Sequence, residues 1–348
     1  MPNIMMTDRC NLNCPYCFAN EFVNKDSNDI TREAFQEALS FLLGDGTNHS
    51  VGLIGGEPTT HPRFDELLRM AILDRRADTV VVYTNGLLID RYIDLLTHEK
   101  VHLLINCNSP SVIGVEKYQK TVSNIDMLVN DRLRTEKIAL GINLYGQSFE
   151  YEYIIDLLRR YNLNRLRVSI TVPNESATRN NDAHDYFLEI KPRLLVFFEA
   201  LLNLNIIPYF DCNKIPRCLI SDEELNSFKR FLDNPTVRDA ILKSNISSTI
   251  VRCSPVIDVL QDLTAVRCFG LSRTTRCEIK NFAGIADLKN YYIRSVDAYG
   301  FNTTYSSHCN DCYDRKTLRC EGGCLAFKER EIEQLSNLVD ERLNDRHK

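Results

Sequence analysis

Along the first two hundred or so positions, short continuous apolar runs alternate with segments whose apolar residues recur every three or four places, a pattern that predicts strands and helices in turn. Residues 3–6, 51–54, 79–83, 101–105, 137–143 and 165–172 read as six strands. In the first helical pattern Thr31 is placed to cap a helix whose Phe35, Ala38, Leu39, Leu42 and Leu43 share one face, and Gly44 ends it. The other helices fall at about residues 63–72, 88–96, 115–128 and 151–161, with a long one ending near Leu204. Near-continuous apolar strands alternating with helices predict an α/β fold, a partial (β/α)6 TIM barrel with its parallel sheet covered by helices. In such barrels the chemistry collects where strands end and loops begin.

From about Ile206 the alternation stops. A strand-like stretch at 206–210 leads into the loop DCNKIPRC, a helix near 222–231, an irregular cysteine-rich region and a charged helix from Lys328. The chain therefore divides into a barrel at 1–205 and a small cysteine-rich domain at 206–348.

With 44% hydrophobic and 26% charged residues over 348 positions, the composition is that of an ordinary globular protein with a sizeable core. The 42 basic and 47 acidic residues give a net charge of −5 with no basic block, which argues against a nucleic-acid partner. The longest apolar segment, 194–210, is interrupted by Glu199, Asn203 and Asn205, so no membrane span is expected. No secretory signal opens the sequence, and a cytoplasmic location is expected. Thirteen cysteines in such a chain point to metal clusters before a disulfide scaffold.

Three of them, Cys10, Cys14 and Cys17, stand in RCNLNCPYCF directly after the first strand. A structural zinc site closes with four ligands, usually in two pairs, so a compact group of three suits a four-iron cluster with one iron left open. The ligand atoms are the deprotonated thiolates. A second motif, GGEP at 55–58, follows the second strand. Gly55 and Gly56 allow a backbone to approach a ligand closely, and Glu57 can accept hydrogen bonds from an ammonium group.

Together these motifs resemble the radical S-adenosylmethionine (SAM) enzymes: CNLNCPYC matches their CxxxCxΦC signature, with Tyr16 as the aromatic, and GGEP matches their methionine-binding turn. The resemblance implies that Cys10, Cys14 and Cys17 hold a [4Fe-4S] cluster whose open iron chelates SAM, and that Glu57 and the backbone around Gly55 hold the methionine ammonium. It further implies an enzyme that cleaves SAM reductively to a 5′-deoxyadenosyl radical. Small polar residues at other strand ends suit a ribose and a carboxylate: Thr84, Asn85 and Gly86, then Asn106, Asn108 and Ser109, Asn143, and Ser169. Turn and capping chemistry accounts equally for many of these, and Ser109 and Asn143 are the favoured contacts.

The segment HCNDCYDRKTLRCEGGC places Cys309 and Cys312 ahead of Cys320 and Cys324, with seven residues between the pairs. Zinc ribbons commonly need about fifteen to twenty there, which favours iron–sulfur over zinc. The group resembles the auxiliary-cluster extension called SPASM, or the shorter twitch domain, although that family's middle gap is five. The resemblance implies that Cys253 and Cys268 join Cys324 around one auxiliary cluster. SPASM domains carry a further cysteine after the run, and none follows Cys324 here. Cys212 and Cys218 are candidates to complete the sets, giving one or two auxiliary [4Fe-4S] clusters and leaving Cys107 and Cys277 over.

By association with that family, the expected substrate is a peptide or protein side chain, modified by cross-linking or epimerisation, and a small metabolite is the alternative. An electron donor such as flavodoxin or ferredoxin, and a separate leader-peptide-binding protein, are the expected partners. Sulfatase maturation is disfavoured, because Phe269 and Gly270 follow Cys268 where an aspartate base is expected. Asp211, Asp258 and Asp262 are substitutes for that acid, and no catalytic base is assigned. A non-catalytic iron–sulfur sensor is the remaining alternative.

Overall fold

The computed structural model describes the chain except for residues 18, 20, 21, 25–27, 132–134, 172–182, 207, 210–252, 301, 305, 319, 321, 329–331 and 333–348. Nine strands form one sheet in the order β6-β5-β4-β3-β2-β1-β7-β8-β9. Strands β1 (Asn3–Met5), β2 (Ser50–Ile54), β3 (Thr79–Thr84), β4 (Val101–Asn106), β5 (Ile138–Leu144) and β6 (Leu166–Ile170) run parallel, as the alternation predicts. Each boundary lies within a residue or two of its expected place.

Five helices follow the first six strands on the same principle: α1 (Arg32–Leu43), α2 (Phe64–Leu73), α3 (Val115–Asp131), α4 (Glu152–Arg160) and α5 (Ala183–Asn203). The segment after β3 is instead a 3-10 turn at Ile89–Tyr92 leading into one helical turn at Ile93–Leu96. Thr31 caps α1 as expected, its side chain accepting from the Ala34 N–H. The predicted face of α1, Phe35 to Leu43, is buried against the sheet together with Phe64, Leu67, Leu68, Ala71 and Ile72 of α2. Each phenylalanine, leucine and isoleucine among them contributes roughly 1.5–3 kcal/mol on burial.

Side chains alternate across each strand, and the two faces of the sheet have different tasks. Val80 and Val82, Leu103 and Ile105, Leu140 and Ile142, and Val168 and Ile170 enter the core beneath the helices. Their neighbours Val81 and Tyr83, Leu104 and Asn106, Asn143, and Arg167 and Ser169 line a cavity on the other side. The strand sequences are therefore less uniformly apolar than buried strands of a closed α/β core.

Past residue 206 the chain adds to the same sheet at both of its ends. Tyr209 makes a parallel bridge to Arg167 at the β6 edge. At the opposite end β7 (Asp258–Val259) pairs parallel with β1, and β8 (Thr264–Val266) and β9 (Cys277–Glu278) continue antiparallel. A short helix α6 (Ile285–Tyr292) packs behind them, with Leu288 and Tyr292 in the main core. The expected helices at 222–231 and from Lys328 lie largely outside the described residues, although Lys328 itself ends a 3-10 turn, Leu325–Lys328. Among the described residues no helix is long and apolar enough to cross a membrane.

Candidate functional site

The loop after β1 carries Cys10, Cys14 and Cys17, and the loop after β2 carries Gly55, Gly56 and Glu57. Because β1 and β2 are adjacent and parallel, their C-terminal ends bring the two motifs side by side. The pairing continues past the strands: the Gly56 N–H donates to the Thr7 carbonyl at 2.8 Å and the Glu57 N–H to the Arg9 carbonyl at 2.8 Å. A Cβ on Gly55 would lie 2.4 Å from the Thr7 carbonyl oxygen, and one on Gly56 2.3 Å from that of Arg9. Both glycines are needed for this approach, so their first task is to seat the cysteine loop; they also line the cavity.

Glu57 is buried, and its carboxylate accepts from the Thr59 hydroxyl at 2.5 Å, the Thr59 N–H at 3.2 Å, the Thr84 hydroxyl at 2.8 Å and the Asn85 N–H at 2.6 Å. Both oxygens are engaged by protein donors that tie the ends of β2 and β3 together. Burial raises the Glu57 pKa, and the four hydrogen bonds oppose that shift.

One cavity of about 880 Å³ is lined by Cys10, Cys14 and Cys17, by Gly55, Gly56 and Glu57, and by polar side chains at the ends of β3 to β6. Thr84, Asn85, Asn106, Asn108, Asn143 and Ser169 face it. Ser109 does not: its hydroxyl pairs with Ser111 at 2.8 Å at the start of a short helical turn, and Asn108 stands on the wall instead. Gly86 also lies off the wall, with its N–H donating to the Thr84 hydroxyl. Asn143 accepts from the Arg167 guanidinium at 3.0 Å. Tyr16 bonds to Asn108, pinning the cysteine loop to the β4 end.

Burial pushes the Cys10 thiol up to about 12 and the Cys14 thiol to about 11, and Cys17 is also raised by burial. A bound metal reverses that preference, because thiolate ligands lose their protons on coordination. The donor set fits an iron–sulfur cluster: three thiols line one cavity, and the Leu12 N–H already points at the Cys10 sulfur, 3.4 Å away.

A family model described as the radical SAM superfamily matches residues 4–142. Those residues form a radical SAM domain. Such a domain works with a [4Fe-4S] cluster and SAM. The GTP 3′,8-cyclase of Chlorobaculum tepidum is 25% identical over 54% of this chain and 53% of its own length. The S-adenosylmethionine-dependent nucleotide dehydratase of Flammeovirga pacifica is 24% identical over 65% of this chain and 70% of its own. The chain spans about half the length of that cyclase. Streptococcus suis SuiB bound to S-adenosylmethionine has the same fold, with a TM-score of 0.61 and 16% identity over 93% of this chain and 72% of its own.

The later cysteines fall into neighbouring groups beside the radical SAM domain. Cys253 precedes β7 and Cys268 follows β8, so the hairpin of β7 and β8 brings their arms together: the Val256 and Ile257 N–H groups both reach the Arg267 carbonyl. Cys309, Cys320 and Cys324 are buried and Cys312 is half-buried, none of them in a disulfide. The Cys320 N–H returns to the Asp314 carbonyl at 3.0 Å, and the Gly322 N–H donates to the Cys320 sulfur at 3.4 Å. The turn Phe269–Leu271 packs on Leu325–Lys328, where a Cβ on Gly270 would lie 2.5 Å from that of Ala326. That contact sets Cys268 beside the Cys324 turn, and Cys268 lines the same cavity as Cys10, Cys14 and Cys17.

Cys212, Cys218 and Asp211 lie outside the described residues. Cys107 is buried, and Cys277 contacts the Tyr292 hydroxyl at 3.0 Å. Asp258 is buried on the cavity wall and accepts from Asn3 at 2.6 Å, while Asp262 caps the β7–β8 turn through Thr264. Sequence reasoning missed Arg167, Thr171 and Tyr209 on the wall. Their strand alternation was the available signal for the first.

Proposed function

We propose that this chain is a radical SAM enzyme acting on a peptide or protein side chain. Cys10, Cys14 and Cys17 would hold three irons of a [4Fe-4S] cluster, and the fourth would take the amino and carboxylate groups of SAM. Bound together, cluster and SAM supply reductive carbon–sulfur cleavage, which yields methionine and a 5′-deoxyadenosyl radical able to remove a hydrogen atom. The chain itself seats the cysteine loop through Gly55 and Gly56, orients the ribose with the polar ends of β4 to β6, and shields the reaction from water. The observation that carries this reading is the single cavity shared by the three cysteines, the glycine turn and Cys268.

The second cysteine group is read as a SPASM or twitch-type auxiliary site built from Cys253, Cys268, Cys309, Cys312, Cys320 and Cys324, with Cys212 and Cys218 available to complete two sets. An auxiliary [4Fe-4S] cluster ligated by Cys268 would face the substrate across the cavity. The fold-level likeness to SuiB, which has been solved with precursor peptide SuiA bound, supports a peptide substrate. An electron donor such as flavodoxin or ferredoxin, a leader-binding protein and a cytoplasmic location belong to the same reading.

A second reading, an anionic small metabolite, is favoured by one feature of the wall. His102, Lys137, Arg165 and Arg167 line the cavity toward the starts of β4 to β6. The Arg165 guanidinium bonds to the Glu136 carbonyl at 2.9 Å and Lys137 to the Glu99 carbonyl. The names of the cyclase and dehydratase relatives support this reading.

Anaerobically reconstituted protein given SAM and dithionite should release 5′-deoxyadenosine; no release from protein with an intact cluster would leave only a sensor. About twelve irons per chain means two auxiliary clusters, and about eight means one. Isotope transfer from a deuterated candidate peptide or nucleotide into 5′-deoxyadenosine separates the two substrate classes.

A further inference from the structure

Arg267 is the largest wholly buried side chain among the described residues, and it lies between two cysteines rather than at the cavity wall. Its Nε and Nη2 atoms donate to the Asp297 carboxylate, the latter at 3.0 Å, and Asp297 is itself buried. The guanidinium also grips residue 253 twice, through Nη2 to the Cys253 carbonyl at 3.1 Å and through Nη1 toward the Cys253 sulfur at 3.4 Å. In sequence it directly precedes Cys268. Burying such an ion pair is costly, and an apolar pair of similar volume is often as stable or more so, so fold stability alone gives little reason for it. A neutral thiol is a poor acceptor for a guanidinium, whereas a thiolate ligand is a good one.

The Arg267 backbone is fixed as well. Its carbonyl accepts from Val256 and Ile257, and its N–H donates to the Thr275 hydroxyl at 3.1 Å. The side chain is therefore held from both ends before any metal arrives. Burial works against the guanidinium charge, but Asp297 and the neighbouring Cys253 and Cys268 more than offset it, so the charge persists.

We propose that Arg267, oriented by Asp297, is a positioning residue for the cluster ligated by Cys253 and Cys268, and that its hydrogen bond to the Cys253 thiolate raises that cluster's reduction potential. The inference rests on the auxiliary-cluster reading above. Its physical basis is direct: reduction adds one negative charge to the cluster, and a fixed N–H donor bearing positive charge stabilises the reduced form more than the oxidised one. Asp297 orients the donor and cancels part of its field, so the two residues act with opposite signs.

The test is an anaerobic potentiometric titration of reconstituted full-length protein, followed by EPR of the auxiliary signal, identified as the one lost in Cys268→Ala. R267Q should lower the midpoint by about 59 mV, equal to a tenfold shift in the reduced-to-oxidised ratio for one electron. D297N should raise it, and R267K should fall between R267Q and the unaltered protein. Opposite shifts with iron content retained are an outcome that a purely structural pair would not produce. Unchanged midpoints in all three variants overturn the proposal, as does loss of auxiliary iron from all three, which would make Arg267 a requirement for assembly and not for potential. About four irons per chain in the unaltered protein would instead remove the auxiliary-cluster reading itself, and this inference with it.

Discussion

Beside Cys10 the buried charged group is the Glu57 carboxylate, whereas Cys253 and Cys268 adjoin the guanidinium end of a buried ion pair, Arg267 with Asp297. Burial first, and the field of Glu57 after it, push the Cys10 thiol upward, and Lys117, whose field opposes the rise at Cys14, is exposed. The later cysteines adjoin basic groups: Arg267 beside Cys253 and Cys268, and wholly buried Lys328, whose pKa burial lowers to about 8 against the field of Cys320, Cys309 and Cys324. The same ligand type is thus placed in two opposite electrostatic settings. On the proposed reading the first site would depend on an iron cluster and then a sulfonium to balance its thiolates. On the proposed reading the second would draw on Arg267, whose charge Asp297 partly cancels, and would suit a cluster that binds no cationic cofactor.

The comparison breaks most completely at the first site. Cys14→Ala should abolish 5′-deoxyadenosine release while leaving auxiliary iron in place, and residual release above one-thousandth of the unaltered rate would mean that Cys14 is not a ligand. At the second site the expected effect is partial. Cys320→Ala should lose auxiliary iron while some uncoupled SAM cleavage persists, and full retention of iron would contradict its assignment.

Smaller effects sharpen how the first site is held. Gly56→Ala drives a methyl into the Arg9 carbonyl, 2.3 Å from the added carbon, and should cost about 1–3 kcal/mol in denaturant unfolding. An unchanged midpoint would show that the two loops can part without penalty. The smallest effect concerns His61, just past the GGEP turn, whose Nε2 meets the Ile30 carbonyl at 3.1 Å while its Nδ1 accepts from the Arg63 N–H at 3.0 Å. Burial holds its pKa below the ordinary histidine value. The unfolded chain therefore takes up this proton first, so stability is lost as pH falls from about 6.5 toward the lower folded value, and is unaffected above that window. His61→Gln should remove this part of the acid slope, measured as unfolding free energy against pH.

The barrel half was legible because its information is periodic. Apolar runs located β1 to β6, Thr31 marked the start of α1, and the order of strands placed the CNLNCPYC and GGEP loops together. The strands β7 to β9 carried no such signal: two or three residues each, with polar Thr264 and Glu278 among them, are too short to show a rhythm. Nor could the sequence separate two uses of a polar residue. The hydrogen bonds that tie the Glu57 carboxylate to Thr59, Thr84 and Asn85 were not legible, and Ser109 was favoured over Asn108 although Asn108 is on the cavity wall. Burial of Arg267 and Lys328 was equally hidden, since a lone basic residue reads as surface until its long-range partners, Asp297 and the Gly300 carbonyl, are in place.

The first strand of the chain lies in the middle of the sheet, flanked by β2 and by β7, and Asn3 meets Asp258 across 255 positions. A ribosome adding about 5–20 residues each second needs roughly ten to fifty seconds to make that span. Throughout that interval one edge of β1 has no ladder to join, and it is an adhesive surface for other nascent chains. Strand β1 thus waits for the β7 segment before its second edge is enclosed, an order of assembly set by the 255 positions between Asn3 and Asp258.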